Sequence, residues 1–125
     1  DSYKIEEINN YSGQHKFSNL SIDELSSRLE IDGEYSTIKV DEIGENFELI
    51  QINNSKGGCK LNISENASFT ITGEAHRGDI TVSGIDEIDK NVENTNKYVN
   101  GKHGNNPRAE IKLNITDGSC MIKLE

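Results

Sequence analysis

The chain has 125 residues, enough for one domain with its own core. Only 32% of them are hydrophobic and tryptophan is absent, which is thin for a compact two-layer domain, so either part of the chain is disordered or the core is narrow and elongated. A net charge of -9 argues against free nucleic acid as a partner, since binding it needs a basic stripe, and no apolar run is long enough to span a membrane.

The sequence starts at Asp1 and its one methionine is Met121, so it reads as a processed product or an excised piece, with any targeting segment outside it. The best helical stretch is "IDELSSRL", where Ile22, Leu25 and Leu29 have helical spacing and Ser21 with Glu24 could form a capping box. It runs straight into an alternating segment. From there on the hydrophobic period is two. Ile38 and Val40 flank Lys39, Ile50 and Ile52 flank Gln51, and Leu61 and Ile63 flank Asn62. Phe69 and Ile71, then Ile80 and Val82, continue the pattern, and it resumes with Ile111, Leu113 and Ile115, then Ile122 and Leu124. Each pair or triplet predicts a short strand with one buried face and one wet face.

Most of these strands start roughly 8 to 12 residues apart, the spacing of an all-β sandwich, barrel or solenoid. Glycine turns precede several of them, at Asp32-Gly33, Gly57-Gly58, Arg77-Gly78-Asp79 and Asp117-Gly118. "GGCKLNI" (Gly57 to Ile63) and "GSCMIKL" (Gly118 to Leu124) share a Gly-x-Cys-x-apolar-x-apolar pattern, and "GDITV" (Gly78 to Val82) shortens it. In this comparison Gly78 is the turn residue, Arg77 fills a variable position before it, and Asp79 is a polar corner. The Arg-Gly-Asp tripeptide thus reads as a register mark in a repeat rather than an integrin signal.

The rhythm breaks between Val82 and Ile111. That stretch is rich in Asn, Lys, Glu and Gly and holds Pro107, so Asp86 to Arg108 is expected as a long inserted loop in a single β-repeat domain covering 1–125. Asn96, Tyr98 and His103 within it are the candidate binding contacts.

Two architectures remain open. A sandwich would need Asn-Gly or Asp-Gly hairpins at most connections. A β-solenoid, or single-stranded β-helix-like roll, needs only corners and tolerates a thin core, so it is the expected fold, with the sandwich as the alternative. With two strands per rung, Cys59 and Cys120 would lie about three rungs apart, each rung about 4.8 Å from the next, beyond the roughly 7 Å that a disulfide spans. Two free, buried thiols are expected.

"NNPRAEIKLNITDGSCMIKLE" (Asn105 to Glu125) resembles the closing motif of the bacterial adhesin-type domains of unknown function, also called toastrack domains. "HRGDITVSGI" (His76 to Ile85) is similar to their repeated turn and strand, and "LEIDGEYSTIKVDEIGENFELIQI" (Leu29 to Ile52) to the middle rungs of relatives from gut Bacteroidetes. The resemblance covers about Leu20 to Glu125. The chain departs from the pattern at Gly118-Ser119-Cys120, where Gly-Asp-Ile is usual, and at Arg77, where an aromatic or small residue is common. The resemblance implies an elongated β-helix-like fold placed outside the cytoplasm, and it carries over no catalytic or ligand residue.

No pattern for chemistry emerges. His15, His76 and His103 match no metal spacing, Asp86, Glu87 and Asp89 lack the spacing of a calcium loop, and no serine sits in a nucleophile elbow. No cofactor, metal or catalytic residue is expected. Six Asn-x-Ser/Thr triplets, starting at Asn10, Asn19, Asn53, Asn62, Asn66 and Asn114, read as a product of composition. The expected function is a non-enzymatic, extracytoplasmic structural or adhesion-type binding module, in the periplasm, at the outer membrane or at the cell surface, with an unidentified protein or glycan partner. The alternative is a sensory or regulatory accessory domain of a membrane-tethered bacterial envelope protein. A carbohydrate-active solenoid enzyme is a third reading; it would need a groove with convergent carboxylates.

Overall fold

A computed structural model describes residues 2–124, and the period of two becomes eleven strands with no helix among the described residues. In chain order they are β1 (Ser2–Lys16), β2 (Asn19–Glu34), β3 (Thr37–Ile43), β4 (Leu49–Ser55), β5 (Gly58–Ile63) and β6 (Phe69–His76). Then come β7 (Asp79–Ser83), β8 (Glu87–Glu93), β9 (Asn96–His103), β10 (Ala109–Thr116) and β11 (Ser119–Leu124). They form one continuous, strongly curled open sheet.

β2 shows how the curl arises. Its first half pairs in parallel with β3 and its second half with β4. One rung therefore holds two strand segments, and copies pile up as two stacks. The first stack runs through the opening halves of β1 and β2, then β3, β5, β11 and β7. The second runs through the closing halves of β1 and β2, then β4, β10, β6, β9 and β8. Pairing is parallel up to β6 and β7, the solenoid geometry rather than the sandwich alternative.

Inward side chains stack in columns. Ile5, Ile22, Val40, Leu61, Ile122 and Val82 form one column of the first stack. Tyr11, Leu29, Ile50, Ile111 and Ile71 form one of the second. The stacks face each other across a single thin core, where a Cβ added to Gly73 would meet the Ile80 δ-methyl at 2.8 Å. Each fully buried Ile or Leu contributes about 1.5–3 kcal/mol, so few apolar residues suffice when nearly all of them are inside.

The helical spacing of Ile22, Leu25 and Leu29 has a different cause. All three are buried within β2, whose burial alternation slips where the strand bends from one stack to the other. β1 slips its register at the matching place, between Ile8 and Asn10. An odd step in a strand mimics a helical step.

Rung order departs from chain order. β5 leads to β6, yet β10 lies between β4 and β6, and β11 lies between β5 and β7. The last two strands thus fill slots that the middle of the chain leaves vacant. This overturns the expectation of free thiols. β11 sits directly on β5, Cys120 is the register partner of Cys59, their Cα atoms are 4.5 Å apart, and the two are joined in a disulfide. The one-rung distance was right; the number of rungs was not.

Nor is Asp86 to Arg108 an inserted loop. β8 and β9 are an antiparallel hairpin, and β9 extends the second stack by pairing along the whole of β6. Val99 is buried against the core. Its polar composition is that of outward positions and of an end strand, β8, exposed along most of its length.

Candidate functional site

The corners that join one rung to the next make the first distinctive surface. At each, one residue takes a left-handed conformation: Phe17, Tyr35, Lys56, Asp117 and Arg77 have φ between 51° and 58°. None is a glycine. Each donates its backbone N–H to a carbonyl of the next rung, as Phe17 does to Glu34 and Tyr35 to Ser55, over 2.7 to 2.9 Å. The residue that follows is small: Ser18, Ser36, Gly57, Gly118 and Gly78. A Cβ at Gly78 would overlap the carbonyl oxygen of Gly118, and one at Gly118 that of Gly57. The expected roles at the Arg-Gly-Asp tripeptide are therefore exchanged. Arg77 carries the positive φ, and Gly78 is glycine because the neighbouring backbone leaves no room.

The left-handed side chains form a ladder along this edge. Phe17 stacks on Tyr35 with centroids 4.8 Å apart and planes 9° from parallel. The Lys56 ammonium lies 5.0 Å from the Tyr35 centroid and donates to its hydroxyl at 3.0 Å. Arg77 grips Asp117 with two bonds, of 2.6 and 3.0 Å, which hold the Asp117 carboxyl below its ordinary pKa. Asp79 pairs with Lys97 at 3.2 Å. Arg77 and Asp79 are both engaged within the fold. Behind the ladder, buried Asn54 donates to the corner carbonyls of Ser36 and Gly58.

Beside this edge, on the outward face of the second stack, lies a trough of about 570 Å³. A second depression, of about 270 Å³, shares Gln14, Asp32 and Asn53 with it. Strand alternation places one column of planar polar side chains on this face, of which Gln14, Asp32, Asn53 and Asn114 line the trough. Register partners from rung to rung are Gln14, Asp32, Asn53, Asn114, Glu74 and Tyr98. Asn53 donates to Asp32 at 3.0 Å. Phe17 and Tyr35, which follow the trough residues Lys16 and Glu34 in the chain, are 61% and 43% exposed but stack on each other along the corner ladder rather than lining the trough.

The other outward face carries charge. Glu7, Glu24 and Glu42 are register partners on β1, β2 and β3. The charges of Glu42 and then Glu7 raise the Glu24 pKa above its ordinary value. Among the described residues no group of three His, Cys, Asp or Glu is arranged to hold a metal ion.

The three histidines are separated. His15 is buried at the β1 end, 2.6 Å from the Tyr11 hydroxyl and edge-on to Tyr3, and burial lowers its pKa. His76 bonds Asn96 at 2.7 Å. His103 is buried, with its ring nitrogens at the Glu65 carbonyl and the Asp86 amide. Of the predicted contacts, Asn96 and Tyr98 share the outward face of β9, whereas His103 has the opposite parity and points into the fold. His103 is thus held inside the fold by these bonds. Sequence reasoning missed Gln14, Asp32, Asn53 and Asn114, whose common column is visible only once the rungs are set in order.

No protein-family model matches the chain, and no curated protein matches it in sequence. Among solved structures, the fold is similar to that of a "putative cell adhesion protein" from Clostridium sporogenes ATCC 15579, with a TM-score of 0.53 and 18% identity. The match covers 90% of this chain and 56% of that one, so this chain spans little more than half of the neighbour's length. The likeness is one of fold, an all-β curled sheet.

Proposed function

We propose that this chain is a non-enzymatic, adhesion-type binding module that works outside the cytoplasm against a protein or glycan at a cell surface. The observation that carries the reading is the similarity of fold to the clostridial protein, taken with this chain's rung architecture. It presents long, ordered outward faces and buries almost everything else, which is how repeat folds meet partners. The Cys59–Cys120 disulfide supports the address, because such bonds persist in oxidising compartments. Kinship with the toastrack domains belongs to the same proposal, as does treatment of 1–125 as one functional domain. Tyr98 and Asn96 lie on the proposed contact face, and no cofactor takes part.

A bead-retention assay tests the reading. Beads coated with the chain should be held under flow on at least one of mucin, fibronectin, collagen or purified bacterial cell wall, while beads coated with an unrelated acidic protein wash off. Equal retention of both on every surface would remove the adhesion reading. It would favour the envelope sensory or regulatory alternative.

A further inference from the structure

We infer that the trough on the outward face of the second stack is a binding track for a neutral polysaccharide lying along the solenoid axis. The inference deepens the adhesion-type reading and rests on it. Two features carry it. The first is spacing. Gln14, Asp32, Asn53, Asn114, Glu74 and Tyr98 are in register on successive strands, one every 4.8 Å or so. A hexopyranose in an extended chain is about one rung long, so each sugar can meet a new side chain of the column.

The second is chemistry. A primary amide sets a donor and an acceptor side by side, and a carboxylate offers two acceptor oxygens. Vicinal sugar hydroxyls, each both donor and acceptor, match these groups in pairs. Asn53 and Asp32 already bond each other, which fixes both planes. Lys16 is the lone cation lining the two depressions, against Glu30, Asp32 and Glu34. With an overall charge of -9, the surface disfavours a polyanion and selects an uncharged chain.

Isothermal titration with mannohexaose, cellohexaose and laminarihexaose tests the track, with polygalacturonate as the anionic comparator. At least one neutral hexaose should bind, more tightly than its own trisaccharide, and polygalacturonate should not. Asn53→Ala/Asn114→Ala should weaken the hexaose by about tenfold or more, the scale of one or two lost hydrogen bonds. Both positions face outward, so the melting temperature should hold. Should that variant fold poorly, the exposed Gln14→Ala supplies the same test from the β1 end of the trough. The track is overturned if no neutral hexaose binds, if polygalacturonate binds in preference, or if a folded column variant binds as the parent does. Beads retained on a surface while the hexaoses fail would overturn the track alone. Beads that are not retained would overturn the module reading itself.

Discussion

The disulfide offers the sharpest test of the interleaved rungs. Cys59 and Cys120 are 61 positions apart, and the loop they close contains β6 to β10. Closing a loop of that length removes enough freedom from the unfolded chain to stabilise the fold by about 4 kcal/mol in the chain-entropy account. For a domain of this size, unfolding entropy near the midpoint is about 0.26 kcal/mol per kelvin, so loss of the bond should lower Tm by about 15 °C. The measurement is a calorimetric melt of the parent with and without reductant, beside Cys59→Ala/Cys120→Ala. The reduced parent keeps both sulfur atoms in the core and isolates the cross-link. The double variant also leaves space where Cys59 and Cys120 are buried, and should melt slightly lower still. Two free thiols on the denatured, unreduced protein would refute the placement of β11 on β5. So would a reduced parent melting within about 3 °C of the oxidised one.

Two further outcomes follow from the corners and the charged face. Gly78→Ala should cost about 2–4 kcal/mol in urea unfolding, because its Cβ meets backbone that cannot turn aside, while the exposed Asp79→Glu should stay within about 0.5 kcal/mol; equal midpoints for both would end the close-approach explanation. Glu24 sits between Glu7 and Glu42, so its folded pKa is raised above the ordinary 4.5 and the folded state binds the extra proton. Stability is therefore highest below that ordinary value and falls as pH rises through the raised one. Glu24→Gln should raise Tm at pH 7, with the gain shrinking toward pH 4.5 or in high salt. A gain that is independent of both would assign it to something other than repulsion.

Much of the fold was legible in the sequence where burial depends on local alternation alone. Ile38 and Val40, Ile50 and Ile52, or Ile111 to Ile115 announce strands because neighbouring side chains on an extended backbone must face opposite ways. Ile22, Leu25 and Leu29 misled because the bend in β2 interrupts that rule. The hairpin β8–β9 was hidden for the opposite reason. Its strand β8 buries almost nothing, so polar residues are free to occupy it and leave no period to read. The candidate trough was less legible still. Gln14, Asp32, Asn53 and Asn114 are ordinary outward residues one by one, and gain meaning only as a column.

The sequence by itself determined β3 to β7, β10 and β11, the parity of their side chains, the thin core and the glycine at position 78 as a mark of each turn's repeat. Tertiary structure decided which strand lies on which. Parallel neighbours are joined by backbone hydrogen bonds that carry no sequence label, and many rungs offer similar Ile, Leu and Val columns. Order along the stack is then set by how far each connection climbs, and the β5–β6 connection climbs past the slot that β10 later fills. That one step puts Cys120 against Cys59, Gly118 between Gly57 and Gly78, and Asn114 beside Asn53.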